Sequence, residues 1–95
     1  MSTVEKDPAK GLNAAVAATL KGELAASGLT FDQLALATGI SKRTLLRQLS
    51  TVERDLSVAS IAAIATTFNM TLSEVMEAAE RRLERAERAS HPKGA

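Results

Sequence analysis

Gly39 divides the stretch TFDQLALATGISKRTLLRQLS, residues 30–50, into two short helical patterns that cannot merge into one helix. Thr30, followed three residues later by Gln33, has the spacing of a capping box, so the first of the two helices starts at Phe31 and runs through Leu34, Ala35 and Thr38. Glycine tolerates the positive φ that ends a helix abruptly, and Ile40 directly after it is placed to fold back as an apolar plug under the turn. Ser41 then offers its hydroxyl as the cap of a second helix, Lys42 to Leu49. Ala35 is small enough to let that helix cross close to the first.

Two helices crossing steeply about a short glycine-containing turn make a helix-turn-helix unit. Laid out at about 100° per residue, the second helix puts Leu45 and Leu49 on one side with Leu46 on its flank, facing a core. Arg43, Thr44 and Arg47 point the opposite way. Lys42 lies angularly nearer the core side, but it occupies the first turn and its long stem reaches outward. The helix carries three cations and no acid. Leucines on one side and cations on the other suit a helix that enters a groove walled by phosphates.

The Leu34-Ala35 pair, Gly39-Ile40, the run Ser41-Lys42-Arg43-Thr44-Leu45 and the closing Leu49 resemble the helix-turn-helix of the lambda repressor and Cro-like (XRE-type) DNA-binding proteins, small phage and actinobacterial regulators in particular. The resemblance extends roughly from Leu12 to Ala79, and LSVASIAAIATTFNMTLSEVM is similar to that family's fourth helix and the start of its fifth. It implies an all-α, compact five-helix bundle, a double-stranded DNA operator as partner, and base-edge contacts from Lys42, Arg43 and Arg47. Thr44 stands between local hydrogen bonding and a base contact. Ser41 is first a cap and second a phosphate contact. Two positions depart from the family. Phe31 stands where several members place a polar residue on a phosphate, a role for which Gln33 or backbone N–H groups are the substitutes. Leu46 stands where a polar contact residue is common, and has two readings: core packing, or an apolar contact to a thymine methyl.

The composition agrees with one small helical domain. A chain of 95 residues supports a single core. Apolar residues make up 45% but aromatics only 2%, which favours closely packed helices over a sheet. No apolar run reaches the ~18 residues of a membrane span, and MSTVEKDPAK lacks the basic-then-apolar layout of a signal peptide. The expected location is cytoplasmic, without membrane contact. Cysteine is absent, which rules out disulfides and thiolate metal sites. His91 is the only histidine, so neither a histidine-based triad nor a histidine metal cluster can form. No GxxxxGK phosphate loop occurs. The expectation is therefore no enzyme, no cofactor, no metal and no small-molecule ligand. The formal net charge is only +1, so attraction to DNA must be local, and a role in coating DNA without sequence preference is disfavoured.

Around this unit, residues 1–6 read as a disordered arm. Asp7-Pro8 opens a first helix whose Leu12, Val16, Leu20 and Leu24 recur every four residues, and Gly28 ends it. The stretch Ser50 to Asp55 is a loop in which Arg54 is placed to meet a phosphate. Asp55-Leu56-Ser57 opens a fourth helix with Ile61, Ile64, Ala65 and Phe68 turned inward. Thr71 and Glu74 form a second capping box, starting a fifth helix from Leu72 to about Ala89, before His91-Pro92. The DNA-binding domain is then 7–79, with 80–95 as a helical extension and tail.

On the fifth helix Leu72, Met76, Ala79, Leu83 and Ala86 form a heptad-like seam. Either Leu72 to Ala79 packs on the bundle and the remainder is a solvated charged extension, or the seam pairs with a second copy. A homodimer would address two half-sites of an inverted repeat. The function expected from all this is a sequence-specific transcriptional regulator, a repressor of phage-immunity or Cro-like type. The alternative is an antitoxin-like or adaptor module that offers helix 72–89 to another protein.

Overall fold

Proline fixes its own φ and carries no N–H to leave unpaired, so Pro8 suits the first turn of helix α1, Pro8–Ser27. The computed structural model describes residues 8–51 and 56–90. The expected arm 1–6, Asp7, Arg54, Asp55 and the His91-Pro92 stop lie outside the described residues. Along α1, Val16, Leu20 and Leu24 are buried and Leu12 packs against them. Thr19 is buried among these leucines, and its hydroxyl donates to the Ala15 carbonyl at 2.8 Å, so no polar atom is stranded there.

The capping box forms as its spacing predicts. Gln33 N donates to Thr30 Oγ1 at 3.1 Å and Thr30 N donates to Gln33 Oε1 at 2.9 Å, opening α2, Phe31–Thr38. Gly39 has φ 78° and its N–H closes on the Ala35 carbonyl at 2.8 Å. Ser41 Oγ accepts from Thr44 N at 3.2 Å and opens α3, Lys42–Leu46. The sequence predicts one regular helix to Leu49, and here the structure differs: Arg47–Thr51 winds as a π turn. The last turn of this helix thus widens rather than continuing the α-helical hydrogen-bond pattern.

Helix α4, Val58–Thr67, is capped by Ser57, whose hydroxyl accepts from Ser60 N at 3.0 Å. It ends through Asn69 at φ 59°, a residue type that tolerates the left-handed region. The second capping box also forms: Thr71 N donates to Glu74 Oε1 at 2.8 Å and Glu74 N donates to Thr71 Oγ1 at 3.0 Å. Helix α5 then runs without interruption over Leu72–Ser90, so the expected boundary after Ala79 falls inside a continuous helix.

These five helices, with no strand among the described residues, form an all-α bundle. Leu34, Leu45, Leu49, Ile61, Ile64, Ala65, Val75 and Ala79 join the α1 residues in one core, and Phe68 packs against its edge. Leu46 is 38% exposed, so its core-packing reading is wrong. At 100° from Leu45 it sits just beyond the buried arc. Helix α5 packs chiefly on α1 and α4, whereas α3 packs on α2 and the π turn packs on α1. Leu83 of α5 lies over α1 at Gly11, close enough that a Cβ there would sit 3.4 Å from Leu83 Cδ1, in van der Waals contact. Among the described residues no single helix is long and apolar enough to cross a membrane.

Candidate nucleic-acid interface

Leu45 and Leu49, 0% and 1% exposed, pin one side of α3 and the π turn to the core, and that fixes what the other side presents. Arg43 and Arg47, four residues apart, are both exposed on the outward side. Leu46, three residues after Arg43, adds an apolar edge to the same surface. Thr44 is half-buried: its N–H and its Oγ1 both bond to Ser41 Oγ, the hydroxyl of Ser41 donating to Thr44 Oγ1 at 2.9 Å. The two hydroxyls therefore hold each other at the start of α3. Ser41 must release Thr44 Oγ1 before it can donate to a phosphate, whereas the Thr44 hydroxyl keeps its own proton to donate.

On α2, Gln33 is exposed and its carbonyl oxygen is committed to the capping box, which leaves its NH₂ group as the donor for an anion. Arg54 lies outside the described residues. Lys42 is exposed as expected, but it is engaged: its Nζ lies 3.4 Å from Asp32 Oδ1 and donates to Asp32 Oδ2 at 3.5 Å. The side chains are 50% and 73% exposed, so water screens the pair, and an ion pair of this kind stabilises a fold by only ~0–1 kcal/mol. Breaking it therefore costs at most about 1 kcal/mol, which is still several-fold in a binding equilibrium.

Asp32 is the residue that reading along the sequence passes over. Helix 42–49 has no acid of its own, yet the crossing of α2 and α3 brings one in from ten positions upstream. The signal was present as an acid in the first turn of the helix that α3 must cross. Leu36, 86% exposed on α2, is a second surface feature that the helical pattern of Leu34 and Ala35 does not single out.

The seam of α5 is distributed unevenly. Ala79 is fully buried, Leu72, Met76 and Leu83 pack against the chain's own core, and only Ala86 of the five is exposed. Among the described residues no group of three or more His, Cys, Asp or Glu side chains converges in a way that could hold a metal ion.

No curated protein and no solved structure matches the chain. A family model does: the one for the Cro/C1-type helix-turn-helix DNA-binding domain matches residues 19–80, from the middle of α1 into α5, with α2, Gly39 and α3 at its centre. A leucine-anchored α3 with arginines outward, a left-handed glycine at the turn and a match over most of the chain converge on one conclusion: this protein belongs to the Cro/C1-type helix-turn-helix DNA-binding family.

Proposed function

We propose that the protein is a transcriptional repressor that recognises a specific operator through the outer surface of α3. The observation that carries the reading is the exposure of Arg43 and Arg47 on the side of the helix opposite the buried Leu45 and Leu49. Guanidinium groups in that position match the two acceptors, O6 and N7, that guanine displays in the major groove, and Lys42 and Thr44 complete the base-facing set. Gln33, Ser41 and Arg54 are assigned to phosphates, where they fix register without reading sequence. Occupying an operator is sufficient for repression, and the reading includes no catalytic step. The small net charge favours a reader of few sites over a protein that coats DNA.

Two copies on an inverted repeat would require a contact between them. Since Leu72, Met76, Ala79 and Leu83 pack within the chain, that contact is assigned to the exposed end of α5 around Ala86.

In vitro selection from random duplexes tests the proposal directly. The expected result is a defined motif, with Arg47→Ala and Arg43→Ala each losing ~1–3 kcal/mol and relaxing preference at one base pair. Equal losses on every sequence would demote that arginine to a phosphate contact. Failure to enrich any motif would refute sequence-specific reading. Light scattering of the protein with the selected duplex then gives the number of copies bound.

A further inference from the structure

Asp32 places a negative charge on the face that is meant to meet phosphates, where as an acid in the first turn of α2 it favours the helix only modestly. Helix α2 is already capped by Thr30 and Gln33. The Asp32 carboxylate is exposed, and its contact is the ammonium of Lys42. We infer that Asp32 is a specificity-determining residue that acts through Lys42: it withholds the ammonium from indiscriminate phosphate contact and positions it for base edges. The inference rests on the DNA-binding reading of α3.

The argument is one of competing partners. An ammonium on a flexible stem is a point charge that serves any phosphate equally well. Phosphate contacts supply essentially all of non-specific binding. With Asp32 at 3.4 Å, Lys42 contributes little net charge to that attraction, so random DNA gains little from it. An ammonium has three N–H donors, and pairing with one carboxylate leaves donor capacity for guanine O6 or N7 without breaking the pair. A phosphate contact made by pulling Lys42 away would instead leave Asp32 unpaired on the helix that crosses the DNA backbone. The pair therefore penalises the non-specific complex more than the specific one.

The test uses the full chain, fluorescence anisotropy, and two labelled duplexes: the one enriched by selection and a scrambled one. Asp32→Asn is expected to tighten binding to the scrambled duplex by ~3- to 10-fold at about 0.1 M salt and to steepen its log–log salt slope by about 0.9, the value of one additional phosphate contact. Binding to the selected duplex is expected to change less, so the specificity ratio falls. Asp32→Glu keeps the acid and is expected to restore most of the ratio. Glu77→Gln removes the same charge from an exposed position of α5 away from both α3 and the Ala86 end, and is expected to leave both duplexes unchanged. In a Lys42→Met background, Asp32→Asn is expected to lose more than half of its effect.

An equal effect in the presence and absence of Lys42 would overturn the inference, because Asp32 would then merely repel phosphates through space. So would an equal effect of Glu77→Gln, which would reduce the result to net charge, or an unchanged scrambled-duplex affinity with Asp32→Asn. Wild-type protein that binds neither duplex would refute the DNA reading itself, a result distinct from all of these. Thermal melts of each variant confirm that the folded chain is what is compared.

Discussion

The same substitution, glycine to alanine, is expected to move stability in opposite directions at two positions of this chain. At Gly39 the backbone sits at φ 78°, where an L-residue brings its Cβ too close to the neighbouring carbonyl at a cost of ~1–2 kcal/mol. Beyond the two adjoining residues no atom lies within 4 Å of the Cβ that would be added, so the penalty is conformational and side chains from elsewhere cannot relieve it by moving. Reduced freedom of the unfolded chain returns about 0.4–1 kcal/mol, and the net loss is about 1 kcal/mol. Gly22 lies inside α1 with an ordinary helical φ, and the Cβ there would meet Arg82 Nη2 at 3.0 Å, the far end of a flexible, exposed side chain. That tip moves readily, so Gly22→Ala keeps most of the helix-propensity gain of about 0.8–1 kcal/mol. For a domain of this size, 1 kcal/mol corresponds to ~4–8 °C in Tm. Circular dichroism melts are expected to place Gly39→Ala below wild type and Gly22→Ala above it by comparable amounts. Gly39→Asn is expected to fall between Gly39→Ala and wild type, because asparagine is tolerated in the left-handed region, as Asn69 is in this fold. A Gly39→Ala protein that melts at or above wild type would refute the claim that the turn is held by a left-handed residue.

Other expectations follow from the packing and the charge. Leu83→Ala is expected to cost ~1–2 kcal/mol, a fraction of what a fully buried leucine contributes, because Leu83 packs against α1 beyond the end of the recognised domain; an unchanged Tm would mean that α5 is already a solvated extension there. Leu46→Ala is expected to leave Tm almost unmoved, and replacing thymine by uracil in the selected duplex is expected to weaken wild type but not Leu46→Ala if the apolar edge meets a thymine methyl. Binding to non-specific duplex is expected to show a log–log salt slope of roughly −2 to −3, the value of two to three phosphate contacts from the proposed Arg43, Arg47 and Arg54 with Lys42 offset by Asp32; a slope near −6 would require a phosphate-binding surface elsewhere.

What could be read in advance was what local chemistry decides. Thr30 with Gln33, Thr71 with Glu74, and Ser41 each satisfy helix N–H groups a few residues away, so spacing alone was enough to identify them. Leu45 and Leu49 were equally legible because helical geometry puts them on one side whatever surrounds them. Leu46 was not, because at the edge of an apolar arc the width of the neighbouring helix determines burial, and periodicity carries no such information. The seam on α5 could be seen as a seam, but its occupant depends on residues far away in the sequence, since Leu83 lies on α1 at Gly11. The π turn was not legible, because the apolar spacing of Leu45 and Leu49 is the same whether the last turn winds as α or π. Asp32 and Lys42 meet only because of the crossing angle of two helices, a three-dimensional quantity that neither helix encodes alone.

Net charge is a poor guide to this molecule because its charges are segregated. Helix α5 carries five glutamates and four arginines, a net negative helix, and packs chiefly on α1 and α4. Among the described residues, the surface formed by α2 and α3 with the π turn carries Lys42, Arg43 and Arg47, with Lys42 paired to Asp32. At about 0.1 M salt the field of an exposed charge fades over ~10 Å, about the thickness of one helix. Phosphates in front of α3 would therefore respond to the cations beside them and be largely blind to the glutamates of α5. A protein with one net charge can thus present a locally cationic reading surface, and the weakness of its global field becomes an advantage. Long-range attraction that would hold it on every stretch of DNA is offset by the acids of α5, while the short-range hydrogen bonds proposed for Arg43 and Arg47 would be untouched.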